Sequence, residues 1–166
     1  MTILETMTDI LLQIRMLPDC RVFEPTVLPT INGTNHVLPY DVIDFYTACG
    51  GVVLFEHSDY AVRIVGPTDV VLANPIIIGD LCDDDMSSDW YIIGDDGSDE
   101  YITIDFNPHR LGRCYDSFYD RHGVVGESSI IATSFMDLLS RLILNKGQYW
   151  YWLRDDFITL GDAYDS

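Results

Sequence analysis

The strongest constraint on the fold of this chain is a pair of apolar stretches joined by a short acidic turn, at residues 90–106. Both stretches consist mainly of β-branched and aromatic residues, and the segment 94–100 between them contains the Asp-Gly pair typical of a hairpin. The pattern predicts two paired strands in a core sheet. Their turn places four carboxylates in solvent, and no Lys or Arg occurs between Arg63 and Arg110. The turn is either a surface for a cation or a basic partner, or simply a soluble turn.

The charge of the chain narrows the class of partner. Its 166 residues include 27 acidic and 9 basic ones, a formal net charge of −18 at pH 7. Such a chain repels phosphate groups, which argues against binding nucleic acid and against binding an anionic membrane surface. The same charge favours fast association with basic proteins. The composition therefore favours a protein partner, although an acidic protein without such a partner has the same composition.

Length and cysteine usage predict one domain in the cytoplasm. A chain of this length with 48% hydrophobic residues can bury a real core, and residues 1–166 are predicted to form a single domain because no repeat or linker interrupts them. The sequence contains no signal-peptide pattern and no apolar run of membrane-spanning length. The four cysteines lie far apart without a C-x-x-C pair, which favours reduced thiols over a secreted disulfide scaffold.

Apolar residues at three- and four-residue spacing predict three helices, at 2–17, 38–49 and 134–145. Thr2 and Glu5 have the spacing of a capping box at the start of the first helix. A shorter helical turn is predicted over 68–74, ending before Pro75 because a residue that precedes proline disfavours the helical conformation.

Besides the hairpin, apolar runs predict strands at 21–23, 52–55, 60–65 and 113–115. The polar, Gly-containing segment 116–129 is predicted to be an exposed loop. The aromatic-rich segment 148–166 is predicted to pack back on the body at least to Leu160, and its last few residues, which are acidic, are predicted to fray. Successive hairpins flanked by helices predict an α+β domain, with a mostly antiparallel or mixed sheet of about five to six strands between N-terminal and C-terminal helices.

Three motifs, in their order along the chain, are similar to those of a known family. They are the Leu-Pro helix 38–51 ending in a Gly pair, the hairpin 90–105 closing on Asp105, and the Ala-Thr-Ser-Phe start of the last helix at 132–135. Together they resemble the SUKH superfamily, in particular the branch named for the yeast Smi/Knr cell-wall synthesis regulators, over roughly residues 38–145. The family often has Gly-Asp where this chain has Asp99-Glu100, so no ligand is carried over to the turn.

The resemblance implies an α+β fold and a role in binding another protein. Most bacterial members of the superfamily are regarded as immunity proteins that bind and neutralise a cognate toxin, often a nuclease, and no catalytic residues are established for them. For this chain the resemblance implies a toxin domain as partner, no cofactor, and a monomer or weak dimer. The alternative is a regulatory or scaffold module of the same fold that binds an endogenous partner, as the yeast relatives suggest.

The acidic stretches are the candidate partner-binding residues. A nuclease needs a basic surface to hold phosphates, so an inhibitor that presents carboxylates there competes with nucleic acid. Trp90 and Tyr91 are candidate aromatic anchors if they are exposed, and otherwise belong to the core. The alternative for the acids is a set of solvated turns. The candidate set is Asp83, Asp84, Asp85, Trp90, Tyr91, Asp95, Asp96, Asp99 and Glu100.

The sequence lacks the common enzyme motifs. The acids fit no D-x-D-x-D-G calcium loop, the four histidines are scattered, and no H-E-x-x-H, P-loop, dinucleotide fingerprint or G-x-S-x-G elbow occurs. The prediction is a protein without catalytic residues. A metal-dependent enzyme that uses the Asp clusters is a third class, and it would lose activity when Asp95 or Asp96 is changed.

Overall fold

The computed structural model describes residues 5–31, 33 and 35–165, and this part of the chain contains seven strands and four α-helices. The helices are α1 (Met7–Met16), α2 (Tyr40–Ala48), α3 (Ala73–Ile77) and α4 (Phe135–Asn145). The strands are β1 (Arg21–Val22), β2 (Val52–Leu54), β3 (Val62–Ile64), β4 (Trp90–Asp95), β5 (Tyr101–Asp105), β6 (Cys114–Ser117) and β7 (Ile130–Ala132). The predicted α+β class is confirmed.

The strands form one open sheet in which each strand pairs antiparallel with the one before it, in the order β1 to β7. The predicted hairpin forms β4 and β5, whose register runs from Trp90 opposite Asp105 to Asp95 opposite Tyr101. The sheet has one strand more than the five to six predicted. The additional strand is β7, whose three residues are all apolar and buried and so show no alternation that would indicate a strand.

A bulge in β4 positions the acidic end of the hairpin. The pairing register of β4 with β5 shifts between Ile92 and Gly94. A Cβ atom on Gly94 would lie 3.1 Å from the carbonyl oxygen of Arg63, so glycine allows β3 and β4 to approach closely there. The next pair in the register places Asp95 opposite Arg63.

Helices cover one face of the sheet and form the main core with it. The apolar stripe of α1 that the spacing predicted is buried, with Ile10 and Ile14 at 0% exposure. The inner faces of α2 and α4 belong to the same cluster as Tyr91 and Ile104 of the central strands. Full burial of a Leu, Ile or Phe side chain contributes about 1.5–3 kcal/mol, so this layer dominates the stability of the domain.

Irregular segments cover the opposite face of the sheet. A smaller cluster there consists of Trp90, Tyr115, Ile130 and Ala163, with Tyr164 packed against it. The C-terminal segment lies along β7, where the amide of Ile130 donates to the carbonyl of residue 161 at 2.9 Å and the amide of Ala163 donates to the carbonyl of residue 128 at 2.8 Å. The predicted packing of this segment at least to Leu160 is therefore confirmed. It extends to Ala163 and Tyr164, so the predicted fraying of the last few residues is wrong there.

The start of the first helix differs from its prediction. Residues 5 and 6 are not helical, and α1 begins at Met7 behind a capping box made by Thr6 and Asp9. The amide of Thr6 donates to Asp9 Oδ2 at 3.0 Å, and the amide of Asp9 donates to Thr6 Oγ1 at 3.2 Å. Two consecutive Thr-x-x-acid patterns, at residues 2–5 and 6–9, compete at this end of the chain, and Thr2 lies outside the described residues.

Two further predictions are wrong in part. The segment 68–74 forms a 3-10 turn at Pro67–Asp69 followed by α3, which contains Pro75 in its first turn. A proline is tolerated there because the first amides of a helix have no intrahelical partner. The segment 116–129 is not simply an exposed loop, since it begins in β6 and buries His122 and Ser128.

Candidate protein-interaction surface

The acidic turn between β4 and β5 is anchored by its first carboxylate. Arg63 Nη2 donates to Asp95 Oδ2 at 2.7 Å, and the amide of Gly97 donates to Asp95 Oδ1 at 2.9 Å. The Asp95 side chain is 7% exposed. Its charge is therefore paired inside the protein. Although Asp95 is one of the predicted partner-binding acids, its side chain holds the start of the turn in place.

The next acids of the turn point outward. Asp96 Oδ1 accepts the amides of Ser98 at 2.7 Å and Glu100 at 3.3 Å, which closes the turn. Asp99 is exposed and has a left-handed backbone, with φ of 69°. Among the described residues no basic side chain pairs with Asp96, Asp99 or Glu100. The tip of the hairpin thus has a fixed backbone and unneutralised carboxylates.

A shallow cleft lies beside this turn, with a volume of about 320 Å³. Its apolar wall includes Val53, Ala61 and Tyr101. Its polar wall includes the Arg63–Asp95 pair together with acids of the turn and Glu56. The cleft combines apolar surface with negative charge, an arrangement suited to the aliphatic stem and charged head of a Lys or Arg side chain.

An exposed aromatic residue stands next to the acidic turn, although it is not one of those that the sequence suggested. The amide of Tyr119 donates to Glu100 Oε1 at 3.2 Å, and Tyr119 is 70% exposed. An ion pair across this loop holds it in place, because Arg121 Nε donates to the buried Asp116 carboxylate at 2.5 Å. Nothing in the sequence marks Tyr119, since it lies 19 residues from Glu100 in a segment that lacks a clear period.

Trp90 and Tyr91 are both 0% exposed. The Trp90 ring stacks on Tyr115 with centroids 4.2 Å apart, and the Tyr91 ring packs against Phe106 at 4.7 Å. Their candidacy as anchors depended on exposure, and that condition is not met. Consecutive strand residues point to opposite faces, and here each face is covered, which a single sequence does not reveal.

The second acidic stretch, 83–85, lies on the loop before β4. Asp83 and Asp84 are exposed. Asp85 instead caps the 3-10 turn Met86–Asp89, accepting the amide of Ser87 at 3.0 Å and the hydroxyl of Tyr164 at 2.7 Å. Partial burial raises the pKa of the Asp85 carboxyl, but these hydrogen bonds outweigh it and hold the pKa below its usual value. The three acids therefore divide into two that are free and one that is structural.

A cluster of charged and polar side chains at the other end of β4 was not foreseen from the sequence. Arg110 Nε donates to Asp105 Oδ2 and Arg110 Nη2 donates to Asp89 Oδ2, both at 2.8 Å. The hydroxyl of Tyr115 also donates to Asp105 Oδ2, at 2.5 Å. His36 Nε2 lies 2.8 Å from Asp89 Oδ1. We call Asp89, Asp105, Arg110, Tyr115 and His36 the Asp105 cluster.

Burial governs the electrostatics of the Asp105 cluster. Burial raises the pKa of Asp105, and the hydrogen bonds from Tyr115 and residue 107 and the Arg110 guanidinium oppose that rise. Partial burial also raises the pKa of Asp89, but the hydrogen bonds from His36 and residue 107 outweigh it and lower that pKa. Each carboxylate of the cluster is hydrogen-bonded to several groups. Because these groups lie on the connector before α2, on β6 and in the turn after β5, the cluster holds these segments together.

A second polar network lies under the irregular segments. His122 is 5% exposed, with Nε2 2.6 Å from Asn74 Oδ1 and Nδ1 2.9 Å from Ser117 Oγ. Because the Asn74 oxygen can only accept, Nε2 carries the proton and Nδ1 accepts from the Ser117 hydroxyl. The distance from Ser117 Oγ to Thr103 Oγ1 is 2.7 Å, so the hydroxyl of Thr103 extends this network. Burial lowers the pKa of His122 to about 4, so the ring is neutral near pH 7.

Within residues 5–31, 33 and 35–165, no group of three or more His, Cys, Asp or Glu side chains is arranged to hold a metal ion. No helix in those ranges is long and apolar enough to cross a membrane.

Comparison with known proteins identifies relatives of the chain. Residues 33–141 match the sequence profile of the SMI1 / KNR4 family (SUKH-1). A protein of Bacillus subtilis (strain 168) named immunity protein YokJ is 58% identical over 148 residues, which cover 89% of this chain and 89% of that protein. No solved structure matches the chain at a significant level. The matched profile includes the Leu-Pro helix, the hairpin and most of α4, the three motifs on which the resemblance rested.

Proposed function

The chain belongs to the SMI1 / KNR4 family (SUKH-1), and from that membership we propose that it acts as an immunity protein in the cytoplasm. It binds a cognate toxin domain and blocks that domain by covering its active site or substrate groove, without a catalytic step of its own. The observation that most directly supports this function is the 58% identity to a protein named an immunity protein, spread over 89% of both chains.

The chemistry of the toxin is inferred from charge. A net charge of −18 favours a basic partner, and nucleases have basic surfaces because they hold phosphates. An acidic protein that sits on such a surface excludes the nucleic acid. Long-range attraction also speeds the encounter, which matters for a protein that must reach the toxin before its substrate does. The proposed toxin is therefore a basic nuclease domain.

The proposed contact surface is the end of the β4–β5 hairpin and the loop next to it. Asp96, Asp99 and Glu100 offer carboxylates that no basic residue of the described chain neutralises. Tyr119 offers a large exposed ring beside them. Aromatic residues that a partner can desolvate often dominate binding energy, while charges around them set the rate and the specificity. Asp83 and Asp84 form a separate, second candidate surface.

The function is tested first by capture and then by neutralisation. The purified chain is used as bait on a lysate of its source cells at low and at high salt, and the recovered partner is identified by mass spectrometry. The gene for that partner is then expressed in a susceptible host with and without the chain. We expect the partner alone to stop growth and the chain to restore it. A partner that is harmless to the host would contradict immunity and favour the regulatory alternative.

The contact surface is tested with variants that change charge equally. Asp96→Asn with Asp99→Asn removes two negative charges at the turn, and Asp83→Asn with Asp84→Asn removes two at the second surface. Asp44→Asn with Glu24→Gln, both exposed, is the matched control. We expect the turn pair to weaken binding about tenfold, mostly through slower association, and the control to change it little. Equal effects of all three pairs would show that only net charge matters.

Tyr119→Ala tests the aromatic part of the same surface. We expect it to weaken binding about tenfold or more through faster dissociation, because a desolvated ring contributes after the complex has formed. If the chain neutralises the toxin and Tyr119→Ala binds as the wild type does, the function stands and the interface lies elsewhere.

A further inference from the structure

An open groove lies between the second half of α4 and the C-terminal segment, away from the hairpin turn. Its volume is about 650 Å³, and its lining includes Arg141, Leu144, Phe157 and Ile158. It shares no lining residue with the cleft beside the turn. The two surfaces are therefore distinct.

Two aliphatic side chains that line the groove are largely exposed to solvent. Leu144 is 78% exposed and Ile158 is 83% exposed, while Phe157 between the segments is half-buried. Scattered exposed apolar residues are ordinary, but here two of them line one concave surface. The burial of both side chains against another molecule would be favourable.

The groove also lies in a part of the chain where basic and acidic residues are nearly balanced. Residues 141–158 contain three basic and two acidic residues, whereas the whole chain has 9 basic and 27 acidic ones. Arg141 Nε pairs with Asp137 at 3.0 Å, and Arg154 Nε pairs with Asp156 at 3.2 Å. Two copies of a chain with a charge of −18 repel each other, and this repulsion is weakest where the local charge is balanced.

Two exposed ions flank the groove without a partner in the described part of the chain. Lys146 follows Asn145, which lines the groove, and Asp155 lies between Arg154 and Asp156, which also line it. A surface with one free cation and one free anion is self-complementary under a twofold axis, because the cation of one copy meets the anion of the other in two equivalent places.

We propose that this face binds a second copy of the chain, forming a twofold-symmetric dimer. Leu144 and Ile158 of the two copies form its apolar centre, and Lys146 of each copy pairs with Asp155 of the other. The groove supplies fewer residues than the roughly 20–30 a side of a standard interface, so the dimer is weak and forms as concentration rises.

Salt has a diagnostic effect on such a dimer. Added salt weakens the two Lys146–Asp155 pairs, but it also screens the repulsion between two copies that each carry a charge of −18 and leaves apolar contact intact. Because the repulsion involves many more charges than the two pairs, the net effect of salt is to strengthen the dimer. The same salt weakens the proposed association with a basic toxin, because that association depends on attraction. The two interfaces therefore respond to ionic strength in opposite directions.

The dimer is tested by sedimentation equilibrium of the full chain over a wide concentration range, at low and at high salt. We expect a monomer–dimer equilibrium that salt shifts toward dimer, and we expect Leu144→Asp to weaken it at least tenfold. Met16→Asp is the matched control, since Met16 is 84% exposed on α1 and lies outside the groove. Circular dichroism confirms that each variant is folded.

A charge swap tests the symmetry of the arrangement. Lys146→Asp or Asp155→Lys alone should each weaken the dimer several-fold, and the double variant should restore it, because the pair is then present with its signs exchanged. A monomer at every concentration and salt would overturn the proposal. A dimer that Leu144→Asp leaves intact would overturn it as well, and so would a dimer that forms more readily at low salt. None of these outcomes bears on the immunity function.

Discussion

The Asp105 cluster and the acidic turn are both built from aspartates on the β4–β5 hairpin, at opposite ends of it, and they use the same side chain in opposite ways. Asp105 is 0% exposed, and two side-chain donors, Arg110 and Tyr115, reach one of its oxygens. Asp99 is exposed and no basic side chain of the described chain pairs with it. A carboxylate in the first setting holds the fold together, and in the second it is free to meet a partner.

The difference between Asp105 and Asp99 shows how this chain uses some of its few basic residues. Arg63, Arg110 and Arg121 each pair with a carboxylate that is at most 7% exposed, namely Asp95, Asp105 and Asp116. An unpaired buried charge costs several kcal/mol, whereas an unpaired exposed one costs little. Three of the 9 basic residues are used in this way, and others pair with acids nearer the surface. None of the ion pairs in the described chain includes Asp96, Asp99 or Glu100, so the tip of the hairpin keeps its negative charge.

The largest effect is expected from Asp105→Ala. It leaves the Arg110 guanidinium and the Tyr115 hydroxyl without their shared acceptor, so we expect it to lower the free energy of unfolding by about 3–5 kcal/mol. Urea unfolding followed by tryptophan fluorescence measures this loss. Asp99→Asn is the control at the turn, because asparagine tolerates the left-handed backbone of this residue, and we expect a change within about 0.5 kcal/mol. Equal losses for the two variants would remove the distinction between the regions.

The next effect is the contribution of His122 to the pH dependence of stability. Its pKa is about 4 in the folded chain against 6.5 as the ordinary value, so the unfolded chain binds a proton more readily. Stability from the neutral ring is fully present above pH 6.5 and is lost as the pH falls from 6.5 to about 4, by ~3 kcal/mol.

Urea unfolding between pH 4 and 7 for the wild type and His122→Gln isolates this contribution, because the carboxylates titrate in both. We expect the stability of the wild type to fall more steeply than that of the variant. Parallel curves would mean that the ring is already accessible to protons in the folded chain.

A smaller effect is expected where the turn is tied to the interior. Arg63→Gln leaves Asp95 with the amide of Gly97 as its remaining donor. The Arg63 side chain is 51% exposed, so water screens the pair and we expect a loss of only about 1 kcal/mol. Thermal unfolding measures it, with Arg154→Gln, which pairs only at the surface, as the control. A loss as large as that of Asp105→Ala would place Asp95 in the same class as Asp105.

The smallest effect on stability is expected from Asp96→Asn with Asp99→Asn. Removal of two like charges from an acidic chain should leave the free energy of unfolding unchanged or raise it by up to about 0.5 kcal/mol. Chemical denaturation checks this. Weaker binding of the partner by the same variant would support the distinction between the two regions. A clear loss of stability would contradict it, because the turn acids would then be structural.

The elements that the sequence predicted well are those with long local patterns. The stripe of α1, the helix ending at the Gly50-Gly51 pair and the helix after Ser134 are present, and Ser134 Oγ accepts the amide of Asp137 at 3.0 Å as an N-cap. Three-residue β7 and five-residue α3 were missed or misplaced. The three residues of β7 are all buried without alternation, and α3 has fewer than two helical turns, so neither has a period that can be recognised. Their neighbours in space decide their conformation.

The candidate site was only partly accessible to the same reasoning. The acids of the turn were identified by composition alone, and the structure separates Asp95 and Asp85, which hold the fold, from Asp96 and Asp99, which face solvent. Tyr119 could not be foreseen because its neighbourhood depends on the pairing of β5 with β6.

By itself, then, the sequence determined the charge of this protein, its hairpin with an acidic tip, its principal helices and its family. The hairpin, the helices and the family motifs depend on residues close together in the sequence, and the net charge is a sum over all residues, so the sequence alone is enough to predict them. Only the tertiary structure decided which aspartates are paired, that Trp90 is core and Tyr119 is surface, and that Leu144 and Ile158 share a groove. Pairing, burial and proximity depend on residues far apart in the chain, and folding alone brings these together.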